Sequence, residues 1–233
     1  MATETKFETA KRALTPMLLL LLSLVFILAV VPVFESSSGE GVAFKIGLTA
    51  VLVFAALAIH RRHRLTVLGT VGAVIAVPVL WTTLLIPHGS YFVFSCILDS
   101  LFFTAIALLI INQVIRRHLA SLDSVFGVIC AYLLLGLAWA MLYMAMDRID
   151  TESLVITNRR VIANERIGDH TAFSQLVYFS FVTMSTLGYG EIVPETPIAQ
   201  TLCWMQSVTG QLYIAVLVAW IVSEIPTRRH HHE

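Results

Sequence analysis

The sequence predicts an all-α membrane protein in which six helices cross the bilayer and a shorter one, between the fifth and sixth, enters and returns. Three observations carry this fold class. Of 233 residues, 58% are hydrophobic and 13% charged, and the mean hydropathy is +0.83; a water-soluble domain is about 45–50% apolar and about 25% charged. Six apolar runs approach the ~20 residues that cross a hydrocarbon core of about 30 Å. Basic residues fall unequally on alternate sides of those runs. Fifteen Lys and Arg cancel fifteen Asp and Glu, so nucleic acid, which binds clustered positive charge, is not an expected partner.

The spans are expected at 16–34, 42–59, 65–86, 91–114, 125–146 and 198–223. The first is full spanning length with no small-residue cleavage site after it, so it reads as a retained helix rather than a signal peptide. Ten basic residues share one side: Lys6, Lys11, Arg12, Arg61, Arg62, Arg64, Arg116, Arg117, Arg228 and Arg229. Five share the other: Lys45, Arg148, Arg159, Arg160 and Arg166. Both termini are therefore expected in the cytoplasm and the stretch 147–171 outside. Fewer than about twenty residues are expected outside the membrane at either end, too few for a cytosolic ligand-binding domain. Cys96, Cys130 and Cys203 fall within predicted spans, where no disulfide framework is implied.

The run 173–184 is too short to span: at about 1.5 Å per residue it reaches only about 18 Å. It is followed by Thr183-Met184-Ser185-Thr186-Leu187-Gly188-Tyr189-Gly190 and then Glu191. Irregular backbone at membrane depth survives only if buried in protein or lining a watery path. Gly188 and Gly190 lack a Cβ and can take left-handed dihedrals, which lets successive carbonyls turn toward one axis. Carbonyls crowded in this way repel one another until a cation replaces its hydration shell with them. The bland alternative is a re-entrant loop that only packs, with glycines serving tight turns.

The stretch T-x-x-T-x-G-Y-G, between two spanning helices, resembles the signature of the potassium channel pore-domain superfamily, and the resemblance covers roughly 125–223. It implies a homotetramer, four chains being needed to surround each ion. It implies ion sites made by the carbonyls of Thr186, Leu187, Gly188 and Tyr189 and the Thr186 hydroxyl, with permeant potassium the only bound species and no other cofactor. Thr183, Tyr178, Gly190 and Glu191 are the implied filter supports. Many members carry two tryptophans in the pore helix and an aspartate after the filter; here Tyr178, Phe179 and Glu191 stand there. A hydrogen bond from the Tyr178 hydroxyl to Glu191 is the expected substitute, with Phe179 adding packing. Val182 replaces a buried glutamate of some bacterial channels, and Leu187 replaces the more usual valine or isoleucine. Asp169 or Thr171 could cap the start of the pore helix, whose carboxyl end carries about half a negative charge that favours a cation.

Gly210, in the sixth span, stands where the family's inner helix often has a hinge; it could equally allow close packing. Ile214, Val218 and Val222 are four apart and share a helix face. They are expected to line the lower pore, with Val222 closing it by dewetting. Gln211 would offer its amide to hydrated ions or bridge helices.

The first four spans do not form the arginine ladder of a voltage sensor: 91–114 has no basic residue, and Arg116 and Arg117 only anchor its end. Asp99, inside that span, is expected to pair with Lys45 or to sense protons. His60, His63, His118 and His230 could form a proton-sensitive cluster or be solvated charges. In the outer loop, 154–157 and 161–162 suggest a hairpin around Asn158. The expected organisation is thus a four-helix transmembrane domain at 1–118 and a pore domain at 119–233. The expected function is potassium-selective passive conduction across the plasma membrane, in a bacterial inner membrane, without strong voltage gating and with membrane lipid and its own copies as partners. Rival readings are a weakly selective cation channel or a non-conducting membrane protein with a channel-like pore loop. No enzyme motif such as H-E-x-x-H or G-x-S-x-G is present.

Overall fold

A computed structural model describes residues 16–38, 42–58, 72, 74–79, 81–82, 90–115, 122–150, 153–156 and 172–224. Its helices are α1 (Pro16–Ser38), α2 (Val42–Ala58), α3 (Ser90–Ile115), α4 (Leu122–Ile149), α5 (Ala172–Met184) and α6 (Pro197–Glu224), with strands β1 (Leu154–Ile156) and β2 (Ile192–Pro194). Leu- and Ala-rich sequence favours helix locally, and in lipid a helix also satisfies every interior backbone group within its own segment. Three described helices are long and apolar enough to cross a membrane: Ser90–Ile115, Ser124–Ile149 and Pro197–Ala219. The described apolar stretches of α1 and α2, Met17–Ala29 and Lys45–Ala55, are shorter. Of the run expected at 65–86, residues 72, 74–79 and 81–82 are described, and all are helical.

Helix α4 is the hub, packing against α3, α1, α5 and α6. One apolar core joins Leu20 and Leu24 of α1, Leu48 and Leu52 of α2, Phe103, Ile106 and Ile110 of α3, and Leu134 and Leu137 of α4. Small residues let the backbones approach. A Cβ on Gly127 would sit 3.1 Å from Val114 and 3.3 Å from Ile110, and one on Gly136 would overlap the Phe181 ring of α5. The connection from α3 to α4 is only residues 116–121, so the two helices form a hairpin within one chain. The Trp81 indole donates to Thr49 Oγ1 at 3.0 Å, and the Thr82 and Tyr91 hydroxyls are in contact; both tie the third apolar run to its neighbours.

A second, smaller core lies at the other end of α4, where Tyr143, Met146, Leu154, Leu176, Phe179 and Ala199 meet. Over it, β1 pairs antiparallel with β2 in the register Leu154↔Pro194, Val155↔Val193 and Ile156↔Ile192, extended by Glu195 N–H to Ser153 O at 3.0 Å. The β-branched run at 154–156 forms a strand, and its partner among the described residues is the segment after Gly190; the rest of the hairpin expected around Asn158, with Val161 and Ile162, lies outside the described residues. Pro194 cannot donate a ladder hydrogen bond, which an edge strand tolerates; among the described residues β2 pairs with β1 alone.

Asp99 is buried, and its Oδ1 has no hydrogen-bond partner among the described residues. The expected Lys45 pairing therefore does not satisfy that oxygen. Arg116, Arg117, His60, His63, His118, His230 and the cap candidates Asp169 and Thr171 lie outside the described residues.

Because the Gly136 notch receives the Phe181 ring, Gly136→Ala should destabilise the protein by about 1–3 kcal/mol, as overpacking does. Thermal unfolding of the detergent-solubilised protein against wild type measures this.

Candidate functional site

Helix α5 is held from both sides. From α4, the Gly136 carbonyl accepts from Ser180 Oγ at 2.7 Å. From α6, Ser207 Oγ donates to the Thr183 carbonyl at 3.2 Å, and a Cβ on Gly210 would overlap the Met184 carbonyl oxygen. Gly210 sits within a continuous helix, and this close approach leaves no space for a Cβ there.

The termination of α5 sets the conformation of the segment after it. Thr186 N–H bonds to Thr183 O at 3.0 Å and Leu187 N–H to Val182 O at 2.9 Å, with Gly188 N–H reaching the same Val182 oxygen at 3.4 Å. The first two are the pair of bonds of a Schellman helix end, whose left-handed residue is usually glycine. Here it is Thr186, with φ of 58°, a conformation that costs a residue with a Cβ about 1–2 kcal/mol. Gly188 and Gly190 follow with φ of 56° and 79°. Left-handed residues thus alternate with Leu187 and Tyr189. A Cβ on Gly188 or Gly190 would meet nothing within 4 Å, so dihedral angle, not space, selects glycine there. Among the described residues, no hydrogen bond ends on the carbonyls of Thr186, Leu187, Gly188 or Tyr189. Amides are tied back to α5 while a row of oxygens is left open.

At the far end of this row, the Tyr178 hydroxyl donates to Glu191 Oε2 at 2.8 Å, the contact anticipated from the sequence. That bond, followed by desolvation and the negative charge of Glu191, raises the Tyr178 phenol above its ordinary value. Phe179 is buried and meets Tyr143 edge-on, with ring centroids 5.0 Å apart. The filter-like side chains are uncovered within one chain: Leu187 is 54% and Tyr189 63% exposed.

Along α6, Gln206, Gly210, Tyr213 and Leu217 face the rest of the chain, and Tyr213 donates to the Val128 carbonyl at 2.6 Å. Gln211, Ile214 and Val218 are exposed on another face. Val222 lies in the helix, but its side chain is outside what is described. Sequence reasoning missed a buried chain of polar groups behind α5. Tyr143 Oη donates to Gln206 Oε1 at 2.6 Å, and Gln206 Nε2 donates to Ser180 O at 3.0 Å and Ser180 Oγ at 2.7 Å. Three polar residues inside three apolar segments were the available signal, since each must find a partner there. Among the described residues, no cluster of His, Cys, Asp and Glu could hold a metal ion.

Residues 127–225 match the family model described as "Ion channel". Over this segment the chain is thus similar to ion channels. A curated relative is the "Inward rectifier potassium channel Kirbac3.1" of Paramagnetospirillum magnetotacticum, 39% identical over 61 residues. That match covers 26% of this chain, and the chain spans about a fifth (20%) of the relative's length. No solved structure matches.

Replacing the acceptor tests the Tyr178 contact. In Glu191→Gln the raised phenol should fall back, so Tyr178 ionises at lower pH than in wild type; ultraviolet difference titration with Tyr178→Phe as blank reads the change. Above its folded value the phenolate faces the Glu191 carboxylate, and the bond's contribution is lost as pH rises.

Proposed function

We propose that this protein is a potassium-selective channel that conducts passively across a plasma membrane as a homotetramer. The observation that carries the reading is the row of unclaimed carbonyls from Thr186 to Tyr189, presented by alternating left-handed residues at the end of α5. Hydrogen-bond acceptors left open in this way suit a dehydrated cation. A threonine held at φ 58° points the same way: glycine would be less strained there, and strain that persists invites a functional reason. The Thr186 hydroxyl supplies one, as the innermost ligand. Thr183, Tyr178, Gly190 and Glu191 act as supports.

The tetramer is favoured by α6. Only 11% of the most apolar window of Pro197–Ala219 is buried within the chain, against 61% of that of Ser124–Ile149, and a single row of oxygens cannot encircle an ion. In that arrangement Ile214, Val218 and Val222 line the lower pore, with Gln211 above them and Gly210 packed on α5. Residues 1–118 form a four-helix transmembrane domain and 119–233 the pore domain, six spans in all with cytoplasmic termini, in a bacterial inner membrane. With no basic residue in α3, voltage dependence is weak: a transferred charge is worth about 2.3 kcal/mol per 100 mV.

Purified protein in a planar bilayer, with potassium on one side and sodium on the other, should reverse near the potassium equilibrium potential. Gly188→Ala places a Cβ at φ 56°, at about 1–2 kcal/mol per chain, and should abolish that selectivity. A wild-type reversal near zero would sink the proposal.

A further inference from the structure

Gln206 is fully buried on the α6 face that meets α4 and α5, and so are Tyr143 and Ser180. A primary amide in an apolar interior is costly unless its groups are paired. Here the pairing also fixes the amide's orientation. The Ser180 carbonyl can only accept, so the nitrogen of Gln206 faces it, and the oxygen takes the Tyr143 proton. Ser180 Oγ, which accepts from that nitrogen at 2.7 Å, donates its own proton to the Gly136 carbonyl at 2.7 Å. The Tyr143 hydroxyl also lies 3.6 Å from Cys203 Sγ, a longer contact than the one it makes to Gln206, and the chain touches α4 twice, α5 once and α6 once.

We propose that Gln206 is a positioning residue for ion selectivity: through Ser180 it fixes the height and rotation of α5, and so the radius of the carbonyl ring that begins just past that helix. This rests on the channel reading above. Apolar contacts between helices are tolerant of small slips, because one methyl group replaces another at little cost. Directional hydrogen bonds are not. Ser180 lies one turn before Met184, and Val182, two residues on from Ser180, supplies the oxygen that ties Leu187 and Gly188 back to α5. A slip of α5 is therefore delivered directly to Thr186 and the glycines, and fourfold assembly repeats it around the axis. Ser207, directly after Gln206, and Gly210, one turn on, meet the Thr183 and Met184 carbonyls. They leave the helix end fixed to α6 and make Gln206 the contact that sets its rotation.

The test uses the full chain in liposomes: wild type, Gln206→Leu, Ser180→Ala, the double variant and Tyr143→Phe. Two readouts are taken, the potassium-to-sodium permeability ratio and hydrogen–deuterium exchange of the 172–184 amides, with assembly size checked by gel filtration. The expected result is a fall in the ratio of about tenfold or more in Gln206→Leu at unchanged assembly size. The double variant should be no worse than Gln206→Leu, and Tyr143→Phe should shift the ratio the same way by less. A wild-type ratio in Gln206→Leu overturns the proposal, as do losses that multiply like those of independent sites. If Gln206→Leu does not assemble, Ser180→Ala and Tyr143→Phe decide: a lowered ratio in both supports it, a wild-type ratio in both overturns it. If wild type itself is unselective, the potassium reading fails, and exchange alone judges Gln206. Faster exchange across 172–184 in the variants then upholds its positioning role, and unchanged exchange rejects it.

Discussion

Backbone that is not helical but lies at membrane depth has to place its amides and carbonyls without help from bulk water. The segment after α5 meets this constraint asymmetrically. Its first amides fold back onto Thr183 and Val182, while among the described residues no hydrogen bond ends on its carbonyls. Alternation of left-handed residues is what allows the division, since a run of one handedness would return to a helix and consume the oxygens. Most of what surrounds the segment exists to keep this one geometry from relaxing.

Its supports are of three physical kinds. Close backbone approach at Gly136 and Gly210 removes the freedom that side chains would leave between α4, α5 and α6. Buried hydrogen bonds at Tyr143, Ser180 and Gln206 give direction, which apolar contact lacks. The Tyr178–Glu191 bond and the β1–β2 pair hold the far end, so that the row of oxygens is anchored where it leaves α5 and again where it turns toward α6. Phe179, in a position that many family members fill with a hydrogen-bonding tryptophan, contributes only its ring. The donor it lacks is supplied from the adjacent residue, Tyr178.

The helices were legible because membrane thickness dictates their length: 91–114 became Ser90–Ile115 and 173–184 became Ala172–Met184. The Tyr178–Glu191 contact was legible because both residues have fixed offsets from the G-Y-G triplet. The polar chain was not. Tyr143 and Gln206 are 63 positions apart and Gln206 and Ser180 are 26 apart, and nothing local in any of the three segments marks its partner. The strand at Leu154–Ile156 was legible as a strand from its β-branched content. Its partner was not, because a proline in Ile192–Pro194 argues against a strand and the nearer β-rich run looked the better match. Gly210 shows the reverse limit: sequence offered hinge and packing equally, and only the position of the Met184 carbonyl reveals the close approach there.

The pairing of β1 with β2 also imposes an order of events. The first strand emerges from the ribosome well before the second, which comes only after α5 and the glycine triplet have been synthesised. Contacts so distant along the chain form late, because the intervening loop must be closed first. The segment after α4 therefore waits without its partner until α5 and the residues after it have been made. When the two strands meet they close a loop that contains α5 and the carbonyl row, so their pairing reports that everything between them is already in place.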